Sequence, residues 1–213
     1  MLTQTFNLLV RRPGLAVTFG ALFLCGCVTP SVRPNHYPST ARDWHGIDSV
    51  EFLRDFHLDD YSRLLVEPFD TTSAKLPPRE ENTREPAVAA LKWVDGIILT
   101  QLQRTVGRDL AVSSKDQGGA SLERTLLLRG KVAEVDPGSW ALRYWIGFGA
   151  GSASVRIKGE IVDGKTNGVL LRFDQRRVAA MSWYGGEYHA MLADCVAWIG
   201  RDIGHMLSLF NAP

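Results

Sequence analysis

Residues 153–179 read ASVRIKGEIVDGKTNGVLLRFDQRRVA. This stretch determines the class of fold, because it predicts the sheet on which the rest of the chain packs. It contains two runs of strand-like composition, residues 153–162 and 169–179. Between them stand Asp-Gly at 163–164 and Asn-Gly at 167–168, dipeptides that favour tight turns because these residues tolerate a positive φ. The stretch therefore predicts an antiparallel β-hairpin.

Three further segments have strand-like composition. Residues 62–69 form a short apolar run stopped by Pro68, and residues 110–113 and 124–135 are each bounded by turn residues. Residues 49–58 form a short amphipathic segment, which we expect to cap the domain.

Two long segments carry apolar residues at the three-and-four spacing that places them on one face of a helix. The first, residues 86–106, opens with Pro86 and is followed by Gly107, a typical helix terminator. Its apolar face consists of Val88, Leu91, Val94, Ile98, Leu102 and Val106. The second is residues 187–210, with a stripe of Tyr188, Leu192, Cys195, Ile199, Ile203, Met206 and Phe210. The predicted order is β-α-β-β-β-β-α, an α+β fold with a mostly antiparallel sheet and two main helices packed on it.

The first 26 residues have the order of a bacterial export signal. Arg11 and Arg12 precede an apolar run at residues 14–24, which is far shorter than the ~20 residues that a membrane-crossing helix needs. Residues 24–27, Leu-Cys-Gly-Cys, resemble the lipobox of bacterial lipoproteins. This resemblance implies cleavage before Cys27 and attachment of a diacylglycerol to the Cys27 thiol.

These features predict three parts of the chain. Residues 1–26 are the signal peptide, residues 27–48 are the lipidated Cys27 with a proline-rich tether, and residues 49–213 are a single domain that faces the periplasm. The residues after Cys27 are Val28 and Thr29. An Asp there would resemble the signal that retains lipoproteins in the inner membrane. Because none is present, we expect the outer membrane as the destination.

The net charge of the chain indicates which class of partner it can bind. The whole chain has a formal net charge of +1, and the signal segment carries two arginines and no acid, so the exported part has a charge of −1. A nearly neutral charge provides no positive potential that attracts nucleic acid, and we expect no nucleic-acid partner.

Cys195 remains without a partner for an internal disulfide, and its place in an apolar helical stripe predicts a small core residue.

No motif predicts a catalytic residue, a cofactor or a metal site. Residues 159–166, GEIVDGKT, have the spacing of a phosphate-binding loop, but the intervening residues alternate like a strand and include two acids that repel phosphate. His57, Asp59 and Asp60 fit no common spacing of metal ligands. We therefore expect a protein that is not an enzyme and takes no cofactor.

An aromatic, glycine-rich segment between two predicted strands is the candidate interaction loop. Its residues are Trp140, Tyr144, Trp145, Gly147, Phe148, Gly149 and Gly151. Large aromatics that are exposed together suit a partner surface or a membrane interface. The other interpretation is that these side chains fold back over the edge of the sheet as satellite core.

Several segments within residues 50–210 resemble the bacterial lipoproteins called domain of unknown function 4410. They are DYSRLLVEPF at 60–69, LRGKV at 128–132, DPGS at 136–139, RY at 143–144, GFGAG at 147–151 and VD at 162–163. The layout is more distantly similar to the curli secretion lipoprotein CsgG and the amino-terminal domain of TolB, which share a small periplasmic α/β fold. These resemblances imply a lipid-anchored envelope protein without an assigned activity.

We expect this protein to act as a non-catalytic module that binds another envelope protein. The alternative is a homo-oligomeric subunit of a secretion pore, because in CsgG two hairpins leave the shared fold to build an outer-membrane assembly. A membrane-crossing strand takes ~9–11 residues, so residues 136–157 supply at most one such hairpin and the short segment after residue 180 leaves no room for a second. Length therefore favours the interaction module.

Overall fold

The computed structural model describes residues 47–106, 110–115, 121–138, 152–179 and 187–211. The strands are β1 (Ser49–Phe52), β2 (Arg63–Val66), β3 (Ala111–Ser114), β4 (Thr125–Asp136), β5 (Ala153–Asp163) and β6 (Val169–Ala179). The helices are α1 (Arg84–Leu91), α2 (Val94–Thr105) and α3 (Tyr188–Ser208), with single 3-10 turns at Leu58–Asp60 and Leu209–Asn211. None of the helices in these ranges is long and apolar enough to cross a membrane.

The strands form one mixed sheet in the order β1-β6-β5-β4-β2-β3. The pairs β1–β6, β5–β6 and β4–β5 are antiparallel, whereas β2 runs parallel to both β3 and β4. The predicted α+β class is confirmed. The parallel β2–β3 pair is possible because α1 and α2 carry the chain back along the sheet between these two strands, which a short turn cannot do.

The predicted hairpin forms between β5 and β6. The Asp163 N–H donates to the Gly168 carbonyl at 2.9 Å, and Asn167 takes the positive φ, 54°, that the turn requires. The Asp163 carboxylate accepts hydrogen bonds from the backbone N–H and the hydroxyl of Thr166, at 2.6 and 2.9 Å. These two hydrogen bonds stabilise the turn.

The prediction of one continuous helix over residues 86–106 is wrong, because the structure divides it into α1 and α2. The N–H of Trp93 donates to the Ala90 carbonyl, a tight bond of the three-residue kind that ends α1. The N–H of Phe69, just beyond β2, donates to the Asp95 carboxylate at 2.9 Å and places the first turn of α2. The three-and-four spacing continues through such a short break, so it could not reveal the division.

The break also changes which side of α1 is buried. Ala87 and Ala90 face the core, while Val88, which the helical spacing placed on the buried face, is 40% exposed. Pro86 lies within the first turn of α1 and not at its first position. Because the N–H groups of the first turn have no partner within the helix, the missing N–H of Pro86 costs no hydrogen bond. The predicted last helix is confirmed, with α3 at Tyr188–Ser208 and a 3-10 turn after it.

The segment predicted as an amphipathic cap, residues 49–58, begins as the edge strand β1. Val50 and Phe52 turn toward the core and Glu51 turns outward, the alternation of a strand with one buried face. The pairing of β1 with β6 therefore makes this segment part of the sheet.

All three helices pack on one face of the sheet, and the core lies between them. Two aromatic rings on this face fill the space beside glycines, which have no side chain. Phe69 lies over Gly130, and Phe173 lies over Gly159. The two glycines are register partners on β4 and β5. Any Cβ at these positions would collide with the ring. Among the described residues, the opposite face carries one small cluster of buried apolar side chains, Leu65, Leu127 and Val162, near one end.

Candidate interaction surfaces

The residues that the sequence singles out lie outside the described part of the chain. This holds for the predicted lipid-attachment residue Cys27 and for the whole candidate interaction loop, Trp140, Tyr144, Trp145, Gly147, Phe148, Gly149 and Gly151. Their anchoring points in the fold are described, and these define where the loop leaves the domain.

One end of the sheet, called here the loop end, is where β4 ends at Asp136, β5 begins at Ala153 and β6 ends at Ala179. Asp136 is the register partner of Ser154, and Ala153 is the partner of Ala179. The connection from β4 to β5 and the connection from β6 to α3 therefore lie at the same end of three neighbouring strands.

The helix α3 begins near this end, since its Cys195 thiol lies 3.8 Å from the carbonyl oxygen of Ala153, the first residue of β5. The rings of Trp93, at the start of α2, and His189, at the start of α3, meet edge to face with centroids 5.3 Å apart. Farther along, the two helices approach closely because α3 has glycine where they cross: a Cβ on Gly200 would lie 3.0 Å from the Gln101 Cβ. Close packing of α2 on α3 thus holds Trp93 and His189 together at the loop end.

A shallow groove of about 490 Å³ runs along the outer side of α2 from Trp93. Its walls combine apolar and polar side chains, Trp93, Gly96, Ile97, Thr100, Gln101 and Arg104. A Cβ added at Gly96 would meet nothing within 4 Å, so the groove has room for a side chain there. Among the described residues that line the groove there is no acid and no histidine.

A row of alternating charges crosses the sheet face opposite the helices, called here the open face. From edge to edge the row consists of Lys115, Glu67, Arg129, Glu160, Arg172 and Glu51, of which the last four are successive register partners. Glu67 accepts from Lys115 at 2.9 Å and from Arg129 at 3.0 Å, and Arg172 lies 3.7 Å from Glu160 and 3.6 Å from Glu51. Burial opposes ionisation of Glu67, but these two hydrogen bonds hold its pKa below the usual value.

A polar network ties β1, β6 and α3 together beneath the sheet. The Gln175 side chain, fully buried, donates to the Asp202 carboxylate at 2.9 Å and accepts from the Asp48 N–H at 2.7 Å. The Nε of Arg177 donates to the same Asp202 oxygen at 2.6 Å. This network fixes the position of α3 on the sheet, and its polar groups face one another rather than a cavity.

Two potentially reactive side chains, Cys195 and Tyr61, are buried or hydrogen-bonded. Cys195 is fully buried, as predicted, and burial raises the pKa of its thiol to about 11. The Tyr61 hydroxyl donates to the Asp163 carboxylate at 2.8 Å, and burial together with this bond raises the pKa of Tyr61. The stretch 159–166 runs through β5 into the hairpin turn, so it is not a phosphate loop. No three His, Cys, Asp or Glu side chains in these ranges are grouped as metal ligands.

Sequence reasoning did not find the Trp93–His189 contact or the charge row. The alternation of charges along β5 and β6 is visible in the sequence, but the row depends on which residues stand opposite one another across four strands. No signal in the chain pairs Trp93 with His189, because their contact depends on how α2 and α3 cross.

A family model described as "Domain of unknown function (DUF4410)" matches residues 64–185. Among solved structures, the chain is similar to a PelC dodecamer from Paraburkholderia phytofirmans, with 12% identity over 72% of this chain and 97% of that one and a TM-score of 0.44. It is also similar to protein XCC0632 from Xanthomonas campestris, of family model DUF330, with 11% identity over 76% of this chain and 93% of that one and a TM-score of 0.43. No curated protein matches the chain in sequence.

Proposed function

The chain belongs to the domain of unknown function 4410 family, and we propose that it is an envelope lipoprotein whose domain binds another envelope protein through the loop end, without catalysis. The observation that carries this proposal is the convergence of two connections at that end. Residues 139–151 contain Trp140, Tyr144, Trp145 and Phe148, and residues 180–186 add Trp183 and Tyr184.

Both aromatic segments are anchored on adjacent strands. The register pairs Asp136–Ser154 and Ala153–Ala179 set their attachment points at one end of three neighbouring strands, and the Trp93–His189 contact adds further aromatic surface nearby. Aromatic residues dominate the energetics of protein interfaces because they bury a large area at low cost in side-chain entropy. A sheet end whose two connections are rich in aromatic residues suits a protein partner.

The proposed anchor is the lipidated Cys27 in the outer membrane. The described domain begins at Ile47, whose neighbour Asp48 is bound to Gln175 and Arg176 on β6. The intervening residues 28–46 can extend by at most roughly 65 Å, so a domain held this way reaches partners well away from the bilayer.

Site-specific photo-crosslinking in cells tests the proposal. A photoreactive amino acid replaces Trp145 in one variant and Lys165, in the hairpin at the opposite end of the sheet, in a matched control. We expect Trp145 to give one discrete heteromeric product and Lys165 to give none. Equal products from both positions would contradict a role for the loop end, and products consisting only of this chain would support a homo-oligomeric assembly instead.

A further inference from the structure

The hairpin turn between β5 and β6 contains dipeptides that are prone to spontaneous rearrangement. Asn-Gly occurs once in the chain, at 167–168, and Asp-Gly occurs at 163–164 and at 95–96. In such a pair the backbone nitrogen of glycine attacks the side-chain carbonyl carbon of the preceding residue, and glycine has no side chain to hinder the attack. The pair at 95–96 lies in α2, where the Asp95 carboxylate accepts the Phe69 N–H at 2.9 Å. The two other pairs lie together in the hairpin turn.

Contacts within the fold restrain the Asp-Gly pair of this turn. The Gly164 N–H, whose nitrogen would be the attacking atom, donates to the Thr125 carbonyl at 2.8 Å, and Gly164 is buried. The Asp163 side chain reacts readily only when it is protonated. Burial opposes ionisation of Asp163, but hydrogen bonds from Thr166 and Tyr61 hold its pKa below the usual value. This pair is therefore the less reactive of the two at neutral pH.

The Asn-Gly pair is more exposed, and one hydrogen bond restrains each of its reacting groups. The Asn167 side-chain oxygen accepts from Nη2 of Arg129 on β4 at 2.9 Å. Because a guanidinium has only donors, the amide presents its oxygen, and not its nitrogen, to Arg129. The Gly168 N–H donates to the Thr166 hydroxyl at 3.2 Å. Asn167 is exposed to solvent, so water competes for both contacts.

We propose that Asn167 is a site of spontaneous deamidation, and that Arg129 and the Thr166 hydroxyl set its rate. For the reaction to begin, the Gly168 nitrogen must leave the Thr166 hydroxyl, and the Asn167 amide must turn away from Arg129. Each contact stabilises the starting state, so each slows the reaction by the free energy that is needed to break it.

The reaction uses only the chain and water. The Gly168 nitrogen gives up its proton and forms a bond to Cγ of Asn167. The bond from Cγ to Nδ2 breaks, and the side-chain nitrogen leaves as ammonia with the proton that the backbone lost. Water then opens the cyclic imide at either of its two carbonyl carbons, which gives aspartate or isoaspartate at this position.

Both products change the surface around the turn. The new carboxylate lies beside Arg129, which already pairs with Glu67 at 3.0 Å, so conversion adds an acid to one part of the charge row. Isoaspartate also lengthens the backbone of the turn by one carbon atom. Deamidation therefore alters both the charge and the geometry of the hairpin end of the sheet.

Incubation of the folded full chain in neutral detergent at mildly alkaline pH tests this inference, with mass spectrometry of the peptide that contains residues 163–168. We expect Arg129→Gln and Thr166→Val to deamidate Asn167 roughly two- to tenfold faster than the original protein, the factor that corresponds to one hydrogen bond. The matched controls are Arg172→Gln, which removes another cation of the charge row, and Thr166→Ser, which keeps the hydroxyl. Both controls should convert at the original rate.

The same proteins in denaturant should all convert at a similar, faster rate, because the contacts of Arg129 and Thr166 are lost there. In the folded original protein, Asn167 should convert before Asp163 rearranges. An unchanged or slower rate in Arg129→Gln, or an equal increase in Arg172→Gln, would overturn the proposal. Conversion of Asn167 in denaturant but in none of the folded variants would overturn it as well. The outcome does not depend on the loop end, which lies at the opposite end of the sheet.

Discussion

Arg156 holds Asp174 with two hydrogen bonds across the β5–β6 pair: Nε donates to Oδ1 at 2.8 Å and Nη2 donates to Oδ2 at 2.7 Å. The contact is diagonal, because the register places Lys158, and not Arg156, directly opposite Asp174. The hydrogen bond from Arg156 lowers the pKa of Asp174 most, and Lys158 lowers it further against the opposing effect of burial. The carboxylate is therefore a stabilising group whose contribution depends on pH.

Replacement of Asp174 by Asn should reduce stability at neutral pH and not in acid. Because the folded-state pKa lies below the ordinary 3.8, the carboxylate stabilises the fold above that pH and loses its effect as pH falls through the folded-state value. Both partners are partly exposed, so we expect a difference of less than about 1 kcal/mol at neutral pH. Urea unfolding of Asp174→Asn and the original protein across the acid range measures it. The exposed Glu80→Gln is the control, and a difference that grows in acid would contradict the assignment.

Gly159→Ala should destabilise the fold by about 1–3 kcal/mol, the usual cost of overpacking. A Cβ there would collide with the Phe173 ring and would lie 2.8 Å from the Arg129 carbonyl oxygen, so the ring or the strand must move. Gly96→Ala is the matched control, since a Cβ in α2 meets nothing within 4 Å and alanine favours helix by about 1 kcal/mol. Thermal unfolding of the two variants should shift in opposite directions, and equal shifts would count against the ring-over-glycine packing.

Asp202→Ala should cost about 1–3 kcal/mol of unfolding free energy. The change removes an acceptor from Gln175 and Arg177 in the buried network that joins α3 to β6. Asp194→Ala, an exposed position on the same helix, should change stability by less than about 0.5 kcal/mol. Denaturant titration compares the two, and similar losses at both positions would show that helix content, and not the network, is responsible.

The Cys195 thiol should resist alkylation in the folded protein. A pKa raised from 9.0 to about 11 leaves roughly a hundredfold less thiolate at mildly alkaline pH, and full burial blocks access in addition. Mass spectrometry of the peptide that contains Cys195, after iodoacetamide treatment with and without denaturant, measures this. Fast modification without denaturant would mean that the contact between α3 and the sheet opens readily.

Cys27→Ser should abolish lipid attachment. A single thiol accepts the diacylglycerol in the proposed anchor, and serine cannot replace it in this chemistry. Labelling cells with a palmitate analogue and separating the membranes should give label in the outer-membrane fraction for the original protein only. Label on the Cys27→Ser protein would refute the anchor. A large, ring-sized assembly of the original protein after detergent extraction would favour the homo-oligomeric alternative over a monomeric module.

The strands β2 to β6 and the helix α3 were predictable because their signals are local. Alternation and the Asp-Gly and Asn-Gly turns predict β5 and β6 to within one residue, and the apolar stripe of α3 has one period throughout. The division between α1 and α2 escaped prediction because the stripe continues across it. The edge strand β1 escaped prediction because four residues are too short to distinguish a strand from a helical turn.

The sequence by itself determined the family, the α+β class, the hairpin and the burial of Cys195, since each depends on a motif or a period within one segment. Only the tertiary structure decided which residues meet across segments. The register of four strands builds the charge row and sets Lys131 against Lys158 and Arg156 against Arg176. The crossing of α2 and α3 joins Trp93 to His189. A shift of one residue in any pairing would turn these side chains to the other face of the sheet, and that choice depends on the packing of the whole core.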